Sequence, residues 1–370
     1  MKRYTMVKDL LGRTVKTSCR ARLLPFAFSP FYLFTISPFY LFTFLPFLSG
    51  CSVIDEDLSD CGEDYNVKYE VVLKTNLITE IHTVLRLHNE TEAADLLEDS
   101  LKMIFREFAH DVDLSFYKNN ECRFHDEHIM DANQAVYELT LPADDYRHLA
   151  LANIQEEQRV QIDEPLLADQ FYLEQEDGKI IEGHTAGLFT ARENMDILSG
   201  VNQNFTVSLY MVNCASAIVV RTNDKLYDNI WVESCDFADG FLVNDSIFTH
   251  RRNPMIRDKR ITTPPAGREV FYAVNFPSCD TAEEAHAETR ADGGRIGSSD
   301  AQRIWRKYVY VRLPNGSVTR TEIGVRDPLK AGQVKVIVLW LNADGSVYSK
   351  VDEVSTSVTL DWQEGLVIEG

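Results

Sequence analysis

Phe205-Thr206-Val207-Ser208-Leu209-Tyr210-Met211 decides the fold class. Every second residue is apolar, and Thr206, Ser208 and Tyr210 fall between Phe205, Val207, Leu209 and Met211. A period of two puts one set of side chains on each face of a pleated strand, so the segment predicts a β-strand with one buried face. The same pattern runs upstream through Val67, Tyr69, Val71 and Leu73 within Asn66 to Thr75. Further strand candidates lie at 112–117, 135–141, 148–153, 217–221, 229–233, 270–275, 305–313, 317–323, 334–341 and 355–362. Turn chemistry separates several of these, notably Asn119-Asn120, Pro314-Asn315-Gly316 and Asn342-Ala343-Asp344-Gly345. Short strands at this spacing predict a mainly β protein built from antiparallel sandwiches.

One stretch departs from the period of two. Across Asn89 to Ala109, Leu97, Leu101, Ile104, Phe105 and Phe108 recur at helical spacing, and Asn89 with Glu92 forms the letters of a capping box. A single amphipathic helix is therefore expected in the first domain. Residues 156–200 alternate little and read as long loops plus a last strand. The expected organisation is an acidic tether over 51–65, an N-terminal β-sandwich over 66–200 and a C-terminal β-sandwich over 201–370. Ser278 to Asp300 is nearly devoid of large apolar residues and reads as a mobile loop in the second domain.

The first fifty residues have a different chemistry. Lys2, Arg3, Lys8, Arg13, Lys16, Arg20 and Arg22 face one acid, Asp9, and Leu23 to Leu48 carries no charge. Basic then apolar is the order of a secretory signal. The run ends Leu48-Ser49-Gly50-Cys51, which resembles the lipobox, where small residues precede a cysteine that receives diacylglycerol. Residues 1–50 are accordingly expected to be a signal peptide cleaved before Cys51, with lipid on Cys51. A retained spanning anchor is the competing reading, since about 20 apolar residues cross a bilayer. Pro25, Pro30, Pro38 and Pro46 count against it, because an interior proline costs a helix roughly 3 kcal/mol.

Of 37 basic and 57 acidic residues, the leader holds seven and one; the remaining 30 and 56 give a formal net charge of −26. A field of that sign repels phosphate backbones and excludes nucleic acid as a partner. Besides Cys51, the residues after the leader include Cys61, Cys122, Cys214, Cys235 and Cys279, an odd number whose spacing matches neither a zinc framework nor a redox pair. They read as incidental disulfides or buried thiols. No HExxH, GxSxG, Walker A or dinucleotide glycine motif is present, so neither catalytic residues nor a cofactor is expected. Cys122-Arg123-Phe124-His125-Asp126-Glu127-His128 is the best metal-like cluster, but a zinc site needs correctly spaced partners elsewhere and an exposed polar turn explains the same letters; no metal is assigned. Trp231, Trp305, Trp340 and Trp362 are the residues to inspect for sugar stacking, against the ordinary expectation that strand tryptophans pack inside.

Several motifs resemble the FimB/Mfa-type fimbrial anchor family of Bacteroidales, lipoproteins associated with fimbrillin. They are Cys51 followed by Asp55-Glu56-Asp57-Leu58 and Cys61; Phe108-Ala109-His110-Asp111-Val112-Asp113 leading into Leu114-Ser115-Phe116-Tyr117; and Asp327-Pro328-Leu329-Lys330-Ala331-Gly332-Gln333 followed by Val358-Thr359-Leu360-Asp361-Trp362. The turn at Asn119-Asn120 departs from the family's usual Asp-Gly, and the helix looks like an elaboration. The resemblance implies two transthyretin-like sandwiches, no enzyme activity, and an outer-membrane location, surface-exposed, in a fimbrium. It implies fimbrillin-like shaft subunits as partners, joined by β-strand complementation. Only Gln363 to Gly370 follow Trp362, so this chain is expected to receive a strand rather than donate one. The alternative is a surface glycan- or protein-binding lipoprotein of the same architecture.

Overall fold

A computed structural model describes residues 64–74, 85, 89–105, 109–129, 136–162, 166–222, 227, 229–281 and 303–350, with the backbone of 354–361, 6–8 and 14–16. The chain divides into two compact units, Met1–Asp60 and Cys61–Gly370. In the first, the described backbone is a ladder in which Met6–Lys8 pairs antiparallel with Thr14–Lys16. The rest concerns the second unit, which is mainly β with one described helix of several turns.

Four sheets account for its strands. A seven-stranded sheet runs in the order Glu121–Ile129, Asp111–Lys118, Asp145–Ala152, Phe189–Asp196, Gln203–Met211, Asp64–Lys74, Val136–Pro142. A five-stranded sheet runs Lys259–Arg260, Arg268–Asn275, Cys214–Arg221, Val334–Leu341, Val347–Tyr348. A six-stranded sheet runs Ile180–Glu182, Met255–Arg257, Asn229–Cys235, Trp305–Arg312, Val318–Val325, Val354–Asp361. The smallest holds Ile247–Thr249, Gly240–Leu242, Tyr172–Gln175 and Val160–Ile162. Most pairs are antiparallel, as short connections dictate. Three are parallel: Gln203–Met211 with Asp64–Lys74, Cys214–Arg221 with Val334–Leu341, and Ile180–Glu182 with Met255–Arg257.

Apolar faces stack these sheets. One core joins Val67, Tyr69, Val112 and Leu114 of the seven-stranded sheet, the helix Thr91–Ile104, and Val219, Val270, Val336 and Val338 of the five-stranded sheet. The helix thus lies between two sheets, burying Ala93, Ala94, Leu97, Leu101 and Ile104. Each buried leucine or isoleucine contributes about 2 kcal/mol of transfer free energy. A second core lies on the opposite face of the five-stranded sheet, where Ile218, Ile337 and Leu339 meet Val232, Trp305, Val309 and Ile323 of the six-stranded sheet. A third places Tyr117, Leu149 and Leu151 of the seven-stranded sheet against Phe171, Leu173 and Phe241 of the smallest.

The alternation at 205–211 is realised as read: Val207, Leu209 and Met211 are buried and Thr206 and Tyr210 exposed. Its sheet partner differs from expectation. Gln203–Met211, expected to open the second domain, lies between Phe189–Asp196 and Asp64–Lys74 in the first sheet. Its apolar face completes the helix-bearing core, which outweighs proximity to the strands that follow it. The supposed loop region 156–200 holds Val160–Ile162, Tyr172–Gln175 and Ile180–Glu182, strands too short to display a period, as well as Phe189–Asp196. Through them the halves interleave, since Ile180–Glu182 joins the six-stranded sheet and Tyr172–Gln175 pairs with Gly240–Leu242.

The helix is shorter than 89–109, and no capping box forms. Glu90 is its N-cap without a side-chain cap bond, and Asn89 has φ +57°. Glu90 is instead drawn to the five-stranded sheet: Nε of Arg221 donates to Oε1 at 2.5 Å and Nε of Arg268 to both carboxylate oxygens at 2.9 and 2.8 Å. The Asn119-Asn120 turn needs no glycine. Both residues adopt left-handed φ, +52° and +73°, as a type I′ hairpin requires and asparagine tolerates.

Candidate functional site

The expected cleavage and lipid-attachment residues Leu48, Ser49, Gly50 and Cys51 lie outside the described residues, as do most of the acidic tether, residues 282–302 and Trp362. The start of the expected 278–300 loop is not loose. Ser278 and Cys279 are buried, and the Ser278 hydroxyl accepts the Leu329 N–H at 2.9 Å while the Ser278 N–H donates to the Leu329 carbonyl at 3.0 Å. That clasp explains part of the Asp327–Gln333 motif. The Asp327 carbonyl takes the indole N–H of buried Trp305 at 2.9 Å, Leu329 is buried, and Gly332 at φ +73° sends its N–H to the Asn213 carbonyl at 2.8 Å. The motif closes the second core.

Cys122 to His128 belongs to the edge strand Glu121–Ile129, not to an exposed turn. Cross-strand register sets Glu127 opposite Asp113 and His125 opposite Ser115. His125 Nδ1 lies 3.0 Å from Ser115 Oγ and 3.6 Å from Asp113 Oδ1, and Nε2 lies 3.4 Å from Glu127 Oε1. Asp113 is buried, and desolvation pushes its carboxyl up to about 6 against the opposing pull of His125. Asp113, His125 and Glu127 are the set among the described residues that could hold a cation. Cys122 takes no part: its half-buried thiol bonds the Phe124 carbonyl at 3.4 Å, and burial raises its pKa. Cys122, Cys214 and Cys235 are free thiols.

Two further histidines are fully buried, and both serve the fold. His148 bonds Tyr69 and the Ser115 carbonyl, His184 bonds Gln175 and Asn213, and burial pulls each down to about 4.

The three described tryptophans do not form an exposed line. Trp305 is fully buried. Trp340 is partly buried beside the Arg221 guanidinium and Lys350 ammonium, 5.0 and 4.3 Å from its ring. Trp231 is half-buried on the outer face of the six-stranded sheet and stacks on Tyr310, with centroids 5.0 Å apart and planes 3° from parallel. Tyr308 continues that row, flanked by Arg306 and Arg320 at 5.9 and 5.1 Å. The register of Trp231 to Tyr310 and Tyr310 to Arg320 builds this band from three adjacent strands. Isolated tryptophans in the sequence carried no sign of it.

The sheet edges differ in how they are guarded. Glu121–Ile129 is a charged edge, a common defence against pairing with another chain. Val334–Leu341 is apolar: Val336, Ile337, Val338 and Leu339 are buried, alternately in the first and second cores. On its side away from Cys214–Arg221 the ladder consists of Trp340 with Tyr348 and Leu341 with Val347. Among the described residues no strand lies beside Val336–Leu339 on that side. Among the described residues, too, no helix is long and apolar enough to cross a membrane.

Comparison with known proteins places this geometry. The family model of the fimbrillin-A associated anchor proteins Mfa1 and Mfa2 matches residues 86–269. The matched span includes the helix and Phe108–Tyr117, whereas the opening cysteine motif and the Asp327–Gln333 motif fall outside it. The resemblance to the anchor family is shown over that span. No curated protein matches the sequence significantly. Among solved structures, a candidate adhesin from Bacteroides ovatus superimposes with TM-score 0.50 at 11% identity, covering 82% of this chain and 97% of its own; the likeness is one of fold. A candidate polysaccharide-binding protein from Bacteroides thetaiotaomicron gives 0.49 at 11% identity, over 78% and 99%. The fimbrial anchor protein Mfa2 from Porphyromonas gingivalis gives 0.45 at 10% identity, over 80% and 98%.

Proposed function

We propose that this chain, which matches the fimbrillin-A associated anchor proteins over residues 86–269, is a structural anchor that attaches or terminates a fimbria at the outer membrane. The family match is the observation that carries the reading. In this reading Cys51 bears the lipid that holds the protein in the membrane, residues 1–50 are removed, and the folded unit faces the cell exterior. Its partners are fimbrillin-like shaft subunits, and its work is mechanical rather than catalytic.

The shaft joins it through a strand laid along Val336–Leu339. Support for that edge comes from its apolar character and from the two-residue strand Val347–Tyr348 that covers only its far end. A strand added there continues the five-stranded sheet, so that alternate residues of the newcomer gain backbone bonds while its side chains enter the two cores in turn. Cysteines introduced singly from Val336 to Leu339 and paired with cysteines along a terminal strand of the shaft subunit test this. Disulfides are expected at one register with a spacing of two residues. Capture of the shaft subunit without any such disulfide overturns the strand-addition reading, and failure to capture it from detergent-solubilised envelopes overturns the anchor reading.

The Trp231, Tyr310 and Tyr308 band favours a second reading, a surface glycan-binding module, because flat aromatic faces flanked by arginines suit sugar rings. Retention on a polysaccharide column that Trp231→Ala abolishes, without shaft capture, is the result that selects it.

A further inference from the structure

Lys307 lies on the inward face of Trp305–Arg312, between the core residues Trp305 and Val309, and no part of its side chain reaches solvent. Its ammonium meets Asp258, whose side chain is also 0% exposed, at Oδ2 and donates to Ser234 Oγ at 2.7 Å. The Ser234 hydroxyl donates in turn to Asp258 Oδ1 at 2.5 Å. Lysine is among the costliest residues to bury, and a dry core favours its neutral amine over the ammonium. Burial lowers the Lys307 pKa, which works the same way.

The position of Asp258 is as telling as its contacts. It is the single residue between Met255–Arg257 of the six-stranded sheet and Lys259–Arg260 of the five-stranded sheet, the point where the chain crosses the sandwich. Its own N–H is held by the Val232 carbonyl at 3.0 Å, so the carboxyl is fixed at the Lys307 amine.

We propose that Lys307 and Asp258 are joined after folding by an intramolecular amide, an isopeptide bond between Nζ and Cγ that locks the two sheets of this sandwich together. The step needs no external reagent. Proton transfer within the pair gives the amine and the carboxylic acid, and the Nζ lone pair attacks Cγ. The negative charge on Oδ1 is met by the Ser234 O–H, an oxyanion donor already in place. The Cγ–Oδ2 bond breaks, the hydroxyl leaves with a proton from nitrogen, and one water is released for each amide formed. The link covalently ties Trp305–Arg312 to the crossover, so that pulling on either sheet loads a covalent bond instead of a hydrogen-bonded ladder. This inference rests on the sandwich alone and is independent of the anchor reading.

Peptide mapping of the full chain purified from its own envelope is the test. The expected result is one branched peptide carrying Lys307 and Asp258, lighter by one water than its two parts, and absent from Lys307→Met and Asp258→Ala. Ser234→Ala is expected to slow its appearance in freshly refolded protein. Recovery of two separate unmodified peptides from folded wild-type protein, even after prolonged incubation at neutral pH, overturns the proposal and leaves an ordinary buried ion pair. Because the wild-type map decides, a variant that fails to fold does not leave the question open.

Discussion

The hydroxyl of Tyr69 lies 2.5 Å from Nε2 of His148, and both side chains are fully buried between the seven-stranded sheet and the helix-bearing core. Nδ1 of the same ring is 3.1 Å from the Ser115 carbonyl, which can only accept. The carbonyl fixes a proton on Nδ1, and burial, which pulls the ring down to about 4, leaves Nε2 unprotonated at neutral pH to accept from the tyrosine.

Acid should consequently loosen the fold. His148 and His184 are held near 4, against an ordinary value of about 6.5. Between those limits the unfolded chain binds protons that the folded chain does not, so stability is present above the unfolded value and is lost as pH falls from 6.5 towards 4. The loss is of order 3 kcal/mol for each ring, at about 1.4 kcal/mol per unit. Urea midpoints across this range should fall, and His148→Gln should flatten the slope while lowering stability at pH 7. An unchanged slope in that variant would remove His148 as its cause.

Asp113 should act in the opposite sense. Its folded value of about 6 exceeds the ordinary 3.8, so its folded carboxyl keeps a proton that the unfolded one loses. Its contribution is fully present below 3.8 and disappears as pH rises through 6. Asp113→Asn is expected to gain stability relative to wild type between pH 4 and 6.5, as measured by paired chemical denaturation. A constant difference across that window contradicts the assignment.

Removing Glu90 should separate the helix from the five-stranded sheet. Its buried carboxylate holds Arg221 and Arg268, whose side chains remain about a quarter exposed. Breaking such a pair leaves two cations facing one another, and the partial exposure reduces the 3–5 kcal/mol typical of a fully buried pair to about 2 kcal/mol. Glu90→Ala should lower the urea midpoint by the corresponding amount. Hydrogen exchange should quicken first in Thr91–Ile104; uniform quickening throughout the unit would show that the pair does not act locally.

Gly240 should tolerate no side chain. A Cβ there would meet the Tyr172 hydroxyl at 1.8 Å and the Leu173 carbonyl at 2.8 Å. The tyrosine can swing away, but the carbonyl belongs to the paired strand Tyr172–Gln175. Gly240→Ala should therefore cost about 1–3 kcal/mol, the usual penalty of overpacking. It should also break the Tyr172 to Thr249 hydroxyl bond, now 2.6 Å, as seen in a crystal structure of the variant. A variant as stable as wild type would mean that this joint relaxes freely.

Much of the architecture was legible before any coordinates. Alternation at Phe205–Met211 and Val67–Leu73 reports which face of a strand is wet, a local property that survives whatever the strand pairs with. The helix announced itself by spacing, and Gly316 and Gly345 take the positive φ that their turns demand. Neither the absence of a capping box nor the short strands at 160–182 was legible. The first depends on Arg221 and Arg268, over a hundred residues away from Glu90, and the second on partners that only folding supplies.

The same division runs through the candidate sites. Sequence alone determined the class of strand, helix and turn, because side-chain period and backbone preference act over a few residues. Only the tertiary structure decided that Gln203–Met211 lies parallel to Asp64–Lys74, that Trp231 finds Tyr310, and that Lys307 faces Asp258 inside a closed core. A strand's pattern specifies that one face must be covered but not by which surface, and the choice falls to whichever packing buries the most apolar area with every backbone group paired.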